Sequence, residues 1–178
     1  QSKITPDIIC LSKGITGGYM TLSTILTTNN IYDAFYDEYT KLNAFLHSHS
    51  YTANPIACAA ANASLDIFEK KQIISKNRIL SKYISKSLKN IATHDHVGDV
   101  RQHGMISAIE MVSDKLSKKP YPWEERRGLK AYEYGLKNNV LIRPLGNVIY
   151  FMPPYVIKEK EIDKVINVIE GAIDIATK

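Results

Sequence analysis

The sequence predicts an α/β protein in two parts, and three observations lead there. Short runs rich in apolar and β-branched residues, Asp7 to Leu11 and Leu22 to Thr27, have the character of strands. Longer segments, 55–71, 72–91 and the stretch that closes the chain, carry apolar residues at helical spacing. Between His94 and Gly98 the composition turns polar, and strand-like VRQHG and ISAIEMV follow with Gly104 between them. A boundary is therefore expected at 96/97, with the end of a larger α/β domain before it and a smaller α+β domain after it.

The elements follow in order. A short buried strand is expected up to Leu11, ending at Ser12-Lys13, and a second at Leu22 to Thr27. Asn30 is placed to cap a short helix through Tyr36. Pro55, suited to the first position of a helix, opens the alanine-rich PIACAAANASLDIFEKK, whose small side chains permit close packing. In the next helix the apolar set is Ile73, Leu80, Ile84, Leu88 and Ile91. After the two strands come a lysine-rich loop with Pro120 and Pro122, a helix from Trp123 to Asn138, strands VLIR and VIYFM, and a last helix. That helix carries Ile162, Val165, Ile166, Ile169 and Ile173 on one face.

With 178 residues, 44% of them hydrophobic, the chain has material for a substantial core. Its longest apolar stretches, near Ile56 to Ala61 and Val148 to Met152, fall well short of the roughly 18 residues a membrane span needs. QSKITPDII has no basic segment followed by an apolar core, so no secretory signal is expected. Cys10 and Cys58 lack a CxxC spacing and read as reduced thiols of a cytoplasmic protein. The net charge of +5 invites a nucleic-acid partner. Lys70, Lys71, Lys76, Lys82, Lys86 and Lys89, however, fall on the solvated back of the 72–91 helix, so neither nucleic acid nor membrane is expected as a partner.

Three constellations carry chemistry. In CLSKGITGGYM, Lys13 stands between an apolar strand and a turn whose glycines, Gly14, Gly17 and Gly18, admit a bulky ligand. A buried lysine there either snorkels to water or is held as a Schiff-base nucleophile, and the turn alone leaves both readings open. GITGG matches neither a dinucleotide fingerprint nor a P-loop. In FLHSHSYTANP, Ser48, Ser50, Tyr51, Thr52 and backbone N–H groups near a helix start suit a phosphate, or are simply capping groups. The pairs His47/His49 and His94/His96 lack a third ligand at a metal spacing, and no metal is expected. In VLIRPLGNVIYFMPPY, Arg143 ends a strand with its fork available to a carboxylate ligand or to a structural ion pair, and Tyr150 and Tyr155 flank it.

Taken in this order, PDIICLSKGITGGYM, TLSTILTT, HSHSYTANPIACAAANASLDIFE and VLIRPLGNVIYFMPPY closely resemble the class III pyridoxal-phosphate-dependent aminotransferases of fold type I, over nearly the whole chain. The lysine segment resembles the class at large. RPLGNVIYFMPPY is similar to its biotin-synthesis branch, which uses S-adenosylmethionine to aminate 8-amino-7-oxononanoate. The resemblance implies that Lys13 is the Schiff-base lysine of a pyridoxal 5'-phosphate cofactor. It implies that His49 and Ser50 bind the cofactor phosphate across a homodimer interface, where the family often has Pro and Thr. It gives Ser48 a substrate contact, where the family often has Gly, makes Arg143 the carboxylate-binding residue and puts Tyr150 near the site. It further implies a C-terminal part of a longer enzyme, inactive alone: residues 1–96 end the large cofactor-binding domain and its connecting helix, and 97–178 form the small domain. The rivals are a class III aminotransferase of ω-amino acids and a folded fragment without catalysis.

Overall fold

The computed structural model describes residues 3–178, which form two compact units dividing between Gln72 and Ile73. In the first, β1 (Ile8–Leu11) pairs antiparallel with β2 (Thr24–Thr27), from Ile8 opposite Thr27 to Leu11 opposite Thr24. Every residue of β1 is exposed, whereas its apolar run predicts burial. A two-stranded ribbon covers neither of its own faces, and no other strand joins it among the described residues. IICL sends apolar side chains to both faces, the composition of a strand with a layer on each side.

Between the strands, Lys13–Thr16 make one 3-10 turn that packs on the later helix α2 (Pro55–Lys70). The short helix α1 (Asn29–Asp33) starts at Thr28 as its N-cap, ahead of the expected Asn30, and a 3-10 turn at Tyr39–Lys41 follows. Pro55 does take the first helical position of α2. Its entry is fixed by Asn54, whose Oδ1 accepts the N–H groups of Ile56 (2.9 Å) and Ala57 (3.2 Å).

The second unit opens with α3 (Ile73–Thr93), followed by β3 (Val97–His103), β4 (Ile106–Asp114) and the two-residue β5 (Lys119–Pro120). Then come α4 (Arg127–Lys137), β6 (Arg143–Leu145), β7 (Val148–Phe151) and α5 (Glu159–Thr177). The sheet runs β3-β4-β7-β6, antiparallel throughout, with β5 beside β4. Ile84, Leu88 and Ile91 of α3 and Ile162, Ile166, Ile169 and Ile173 of α5 meet Ile109, Met111 and Ile149 of the sheet in one core. Each of these isoleucines, withdrawn from water, contributes about 1.5–3 kcal/mol.

Two expected elements differ. The helix placed at Trp123 to Asn138 is a 3-10 turn, Trp123–Glu125, then α4, because Arg126 takes a left-handed conformation (φ +48°) that interrupts the helical ladder. The strand placed at VLIR begins only at Arg143. The Val140 N–H is spent on Gly135 O (2.9 Å) to close α4, so Val140 and Ile142 fill the core without joining the sheet. Arg143 thus starts β6, an edge strand, where Pro144 costs no ladder bond on the open side. Among the described residues no helix is long and apolar enough to cross a membrane.

Candidate active site

Lys13 stands immediately beyond β1 with φ +52°, and its side chain is exposed rather than buried. Among the described residues its amine has no hydrogen-bond or ion-pair partner. The turn that presents it is held from below. Thr16, 1% exposed, donates from Oγ1 to Met20 O (2.6 Å) and receives the Met20 N–H (3.4 Å), closing the glycine segment into a loop. Gly17 closes the 3-10 turn at φ +63°, its N–H on Gly14 O (3.0 Å), a conformation costly for other residues. A Cβ added at Gly14 or Gly18 would meet nothing within 4 Å, so open space lies beside the lysine's own segment.

The loop before α2 is tied up differently from expectation. The helix-start N–H groups that the sequence offers to a phosphate are taken: Asn54 Oδ1 holds Ile56 and Ala57, and Asn54 O holds Cys58. The His49 N–H donates to Thr52 Oγ1 (3.0 Å), and His49 Nδ1 accepts the Tyr51 N–H (3.1 Å). With Nδ1 accepting, the neutral ring carries its proton on Nε2, a donor left for a ligand. Ser48 and Ser50 are exposed, and their hydroxyls have no partner among the described residues. The side-chain donors left without a partner in this loop are thus the Ser48 and Ser50 hydroxyls and the second ring nitrogen of His49.

In the second unit Arg143 and Tyr150 are cross-strand partners on β6 and β7, with the guanidinium carbon 5.7 Å from the tyrosine ring centroid. No carboxylate pairs with Arg143 among the described residues. Both residues line a cavity of about 470 Å³, walled mainly by apolar groups such as Met152 and Ile157 and reaching Glu161 and Lys164 on α5. That volume suits a small organic molecule. The histidine pair at 94 and 96 is engaged elsewhere: His94 Nε2 meets Asp174 (3.1 Å), and His96 Nδ1 lies 2.9 Å from the Tyr121 hydroxyl. Burial raises the Tyr121 hydroxyl above its ordinary range.

Sequence reasoning did not find Thr16 or Asn54. Asn54 has a legible signal, a capping residue directly before a proline at the first helical position.

The sequence matches the family model described as aminotransferase class-III over residues 1–173. The chain belongs to the class-III aminotransferases. Among curated class-III relatives, the adenosylmethionine-8-amino-7-oxononanoate aminotransferase of Geobacter sulfurreducens is 46% identical over 98% of this chain and 38% of its own length. The enzyme of the same name from Helicobacter pylori is 46% identical over 93% of this chain and 37% of its own. The crystal structure of the Methanocaldococcus jannaschii aminotransferase of that name superposes with a TM-score of 0.91 at 42% identity, covering 96% of this chain and 39% of that one. An omega transaminase from Pseudomonas jessenii, solved in complex with PMP, superposes with a TM-score of 0.90 at 26% identity, covering 97% of this chain and 38% of its own. The chain thus spans less than two fifths of the length of these class-III relatives.

Proposed function

We propose that these residues belong to an adenosylmethionine-8-amino-7-oxononanoate aminotransferase. Such an enzyme moves the amino group of S-adenosylmethionine, through pyridoxal 5'-phosphate, to 8-amino-7-oxononanoate, giving 7,8-diaminononanoate for biotin synthesis. The observation that carries the reading is the unpartnered amine of Lys13 on a glycine turn in a chain 46% identical to enzymes of that name. Residues 1–96 are read as the end of the large cofactor-binding domain with its connecting helix, and 97–178 as the small domain.

The residues present fit the cofactor. Lys13 Nζ is free to bond an aldehyde beside open space, and Nε2 of His49 with the Ser50 hydroxyl supplies donors for a phosphate. The cofactor, when bound, supplies an electron sink for charge developing at the reacting carbon. Lys13 would be the point of attachment. Its amine, once released, would act as the base that takes the proton from the carbon bearing the donor's nitrogen. Arg143 holds the far carboxylate of the keto acid, which fixes where its keto carbon lies. Ser48 contacts substrate, and Tyr150 braces the arginine.

A homodimer with the site at its interface, and a cytoplasmic location, belong to the same reading. Exposed Tyr32, Phe35, Tyr36 and Phe45 in the first unit support the former, and the free thiols of Cys10 and Cys58 support the latter. Incubating the protein with pyridoxal phosphate, reducing with borohydride and mapping the modified peptide tests the lysine. Label on Lys13 is expected, and label spread over surface lysines would overturn the assignment. The ω-transaminase reading draws on the similar fold of the Pseudomonas jessenii enzyme. A donor panel on the intact enzyme separates the two, S-adenosylmethionine being the expected donor.

A further inference from the structure

The chain's excess of positive charge sits on one helix. α3 carries Lys76, Arg78, Lys82, Lys86 and Lys89 and no acidic residue. Those residues account for the whole net charge of +5, so basic and acidic residues balance over the rest of the chain. Arg78, Lys82, Lys86 and Lys89 follow at helical spacing along one face, opposite the buried Ile84, Leu88 and Ile91. All four are exposed, and none has an ion-pair partner among the described residues. Helix stability does not ask for this row. Like charges three or four residues apart repel, and the first turn, where the helix dipole favours an acid, has none and holds Lys76. Asp163 of α5 reaches α3 but bonds Tyr83, one residue and so about 100° round the helix from Lys82. Beside the row, Ile79 is 66% exposed.

We propose that the outer face of α3 is a docking surface for an acidic helix of another protein. Carboxylates at every fourth position of a helix recur about every 6 Å along its axis, the rise that also separates Arg78, Lys82 and Lys86. Two such helices laid side by side match charge to charge over the length of the row. Ile79 beside the row offers an apolar contact, which a protein partner covers and a phosphate backbone does not. No aromatic side chain lies in the row to stack on bases. A second copy of this chain is a poor match, because two acids of its α5, Asp163 and Asp174, are already held by Tyr83 and His94. Docking at α3 does not depend on the aminotransferase reading, since it uses none of the residues placed in that site.

The probe is a synthetic alanine-based helical peptide with glutamate at every fourth position and leucine beside each, titrated calorimetrically into the 178-residue protein. Comparisons are the isomer whose glutamates are spread round the helix, duplex DNA, and vesicles of phosphatidylserine and phosphatidylcholine. The aligned peptide is expected to bind at least about fivefold tighter than its isomer, and to weaken with rising salt. Lys82→Glu is expected to weaken it about three- to tenfold and Lys82→Glu/Lys86→Glu more, whereas Lys76→Glu, off the row, should change it less than about twofold. The double substitution also sets acids beside Arg78 and Lys89, so its melting temperature should hold or rise, which separates lost docking from lost folding. Equal binding of the two peptides, Lys76→Glu as damaging as Lys82→Glu, or no binding by a protein with intact circular dichroism overturns the proposal. Tighter binding of DNA or vesicles than of the aligned peptide overturns the choice of partner, as does self-association in sedimentation that the double substitution abolishes.

Discussion

Arg143 on β6 faces Tyr150 across the ladder with its guanidinium carbon 5.7 Å from the ring centroid, and no acid competes for it among the described residues. The arginine is therefore held by a π-face and left open to a ligand. In the intact aminotransferase, Arg143→Ala is expected to lower kcat/KM for the keto acid about 10- to 100-fold, mainly through KM. The half-reaction with the amino donor should barely change. Steady-state kinetics on both half-reactions check this, and equal damage to both would make the residue structural. Tyr150→Phe keeps the ring and should be near neutral, whereas Tyr150→Leu removes a contact of about 0.5–1 kcal/mol.

Thr16 is the buried polar group under the lysine turn. Thr16→Val keeps the volume but deprives the Met20 carbonyl of its donor, at a cost of about 1–3 kcal/mol. The glycine turn loosens and borohydride trapping of pyridoxal phosphate at Lys13 slows. Thr16→Ser retains the hydroxyl and should behave as wild type. A fall in melting temperature with unchanged trapping would separate stability from positioning.

How much of this was legible in the sequence depends on what each element's identity rests on. The helix α2 announces itself through Pro55 at its start, and α3 and α5 through spacing: Ile73, Ile84, Leu88 and Ile91, and Ile162, Ile166, Ile169 and Ile173, are buried as expected, while Leu80 and Val165 are only partly so. β6 is displaced by two to three residues because one backbone bond, Val140 to Gly135, decides whether Val140 to Ile142 belong to a ladder or to a helix end. Periodicity does not see such a bond. Lys13 and Arg143 stand out in the sequence through their place at strand boundaries, whereas Thr16 matters through a turn that hides it. The exposure of β1 is legible only in retrospect, since apolar side chains on both faces describe a covered strand wherever its cover comes from.

The Tyr83 hydroxyl donates to Asp163 Oδ1 (2.6 Å), tying α3 to α5. That hydrogen bond to a carboxylate raises the tyrosine above its usual value of 10.0. A group raised on folding stabilises the folded state in full below its unfolded value and loses that contribution as pH climbs through its folded one. Thermal melts are expected to show a loss of stability above pH 10 that is smaller in Tyr83→Phe. An identical alkaline loss in the variant would assign the effect to other groups.

Gly128 opens α4 under the β6–β7 turn. A Cβ there would lie 2.3 Å from Gly146 O and 2.6 Å from Pro144 Cβ, so the turn must lift to admit it. Neither neighbour yields easily: one is backbone and the other a ring in the edge strand that carries Arg143. Gly128→Ala is expected to destabilise the second unit by about 1–3 kcal/mol. It should also raise KM for the keto acid in the intact enzyme, because β6 carries Arg143. A guanidinium-chloride melt reads the first effect and steady-state kinetics the second. Lost stability with unchanged KM would show that the arginine's contact tolerates displacement of its strand.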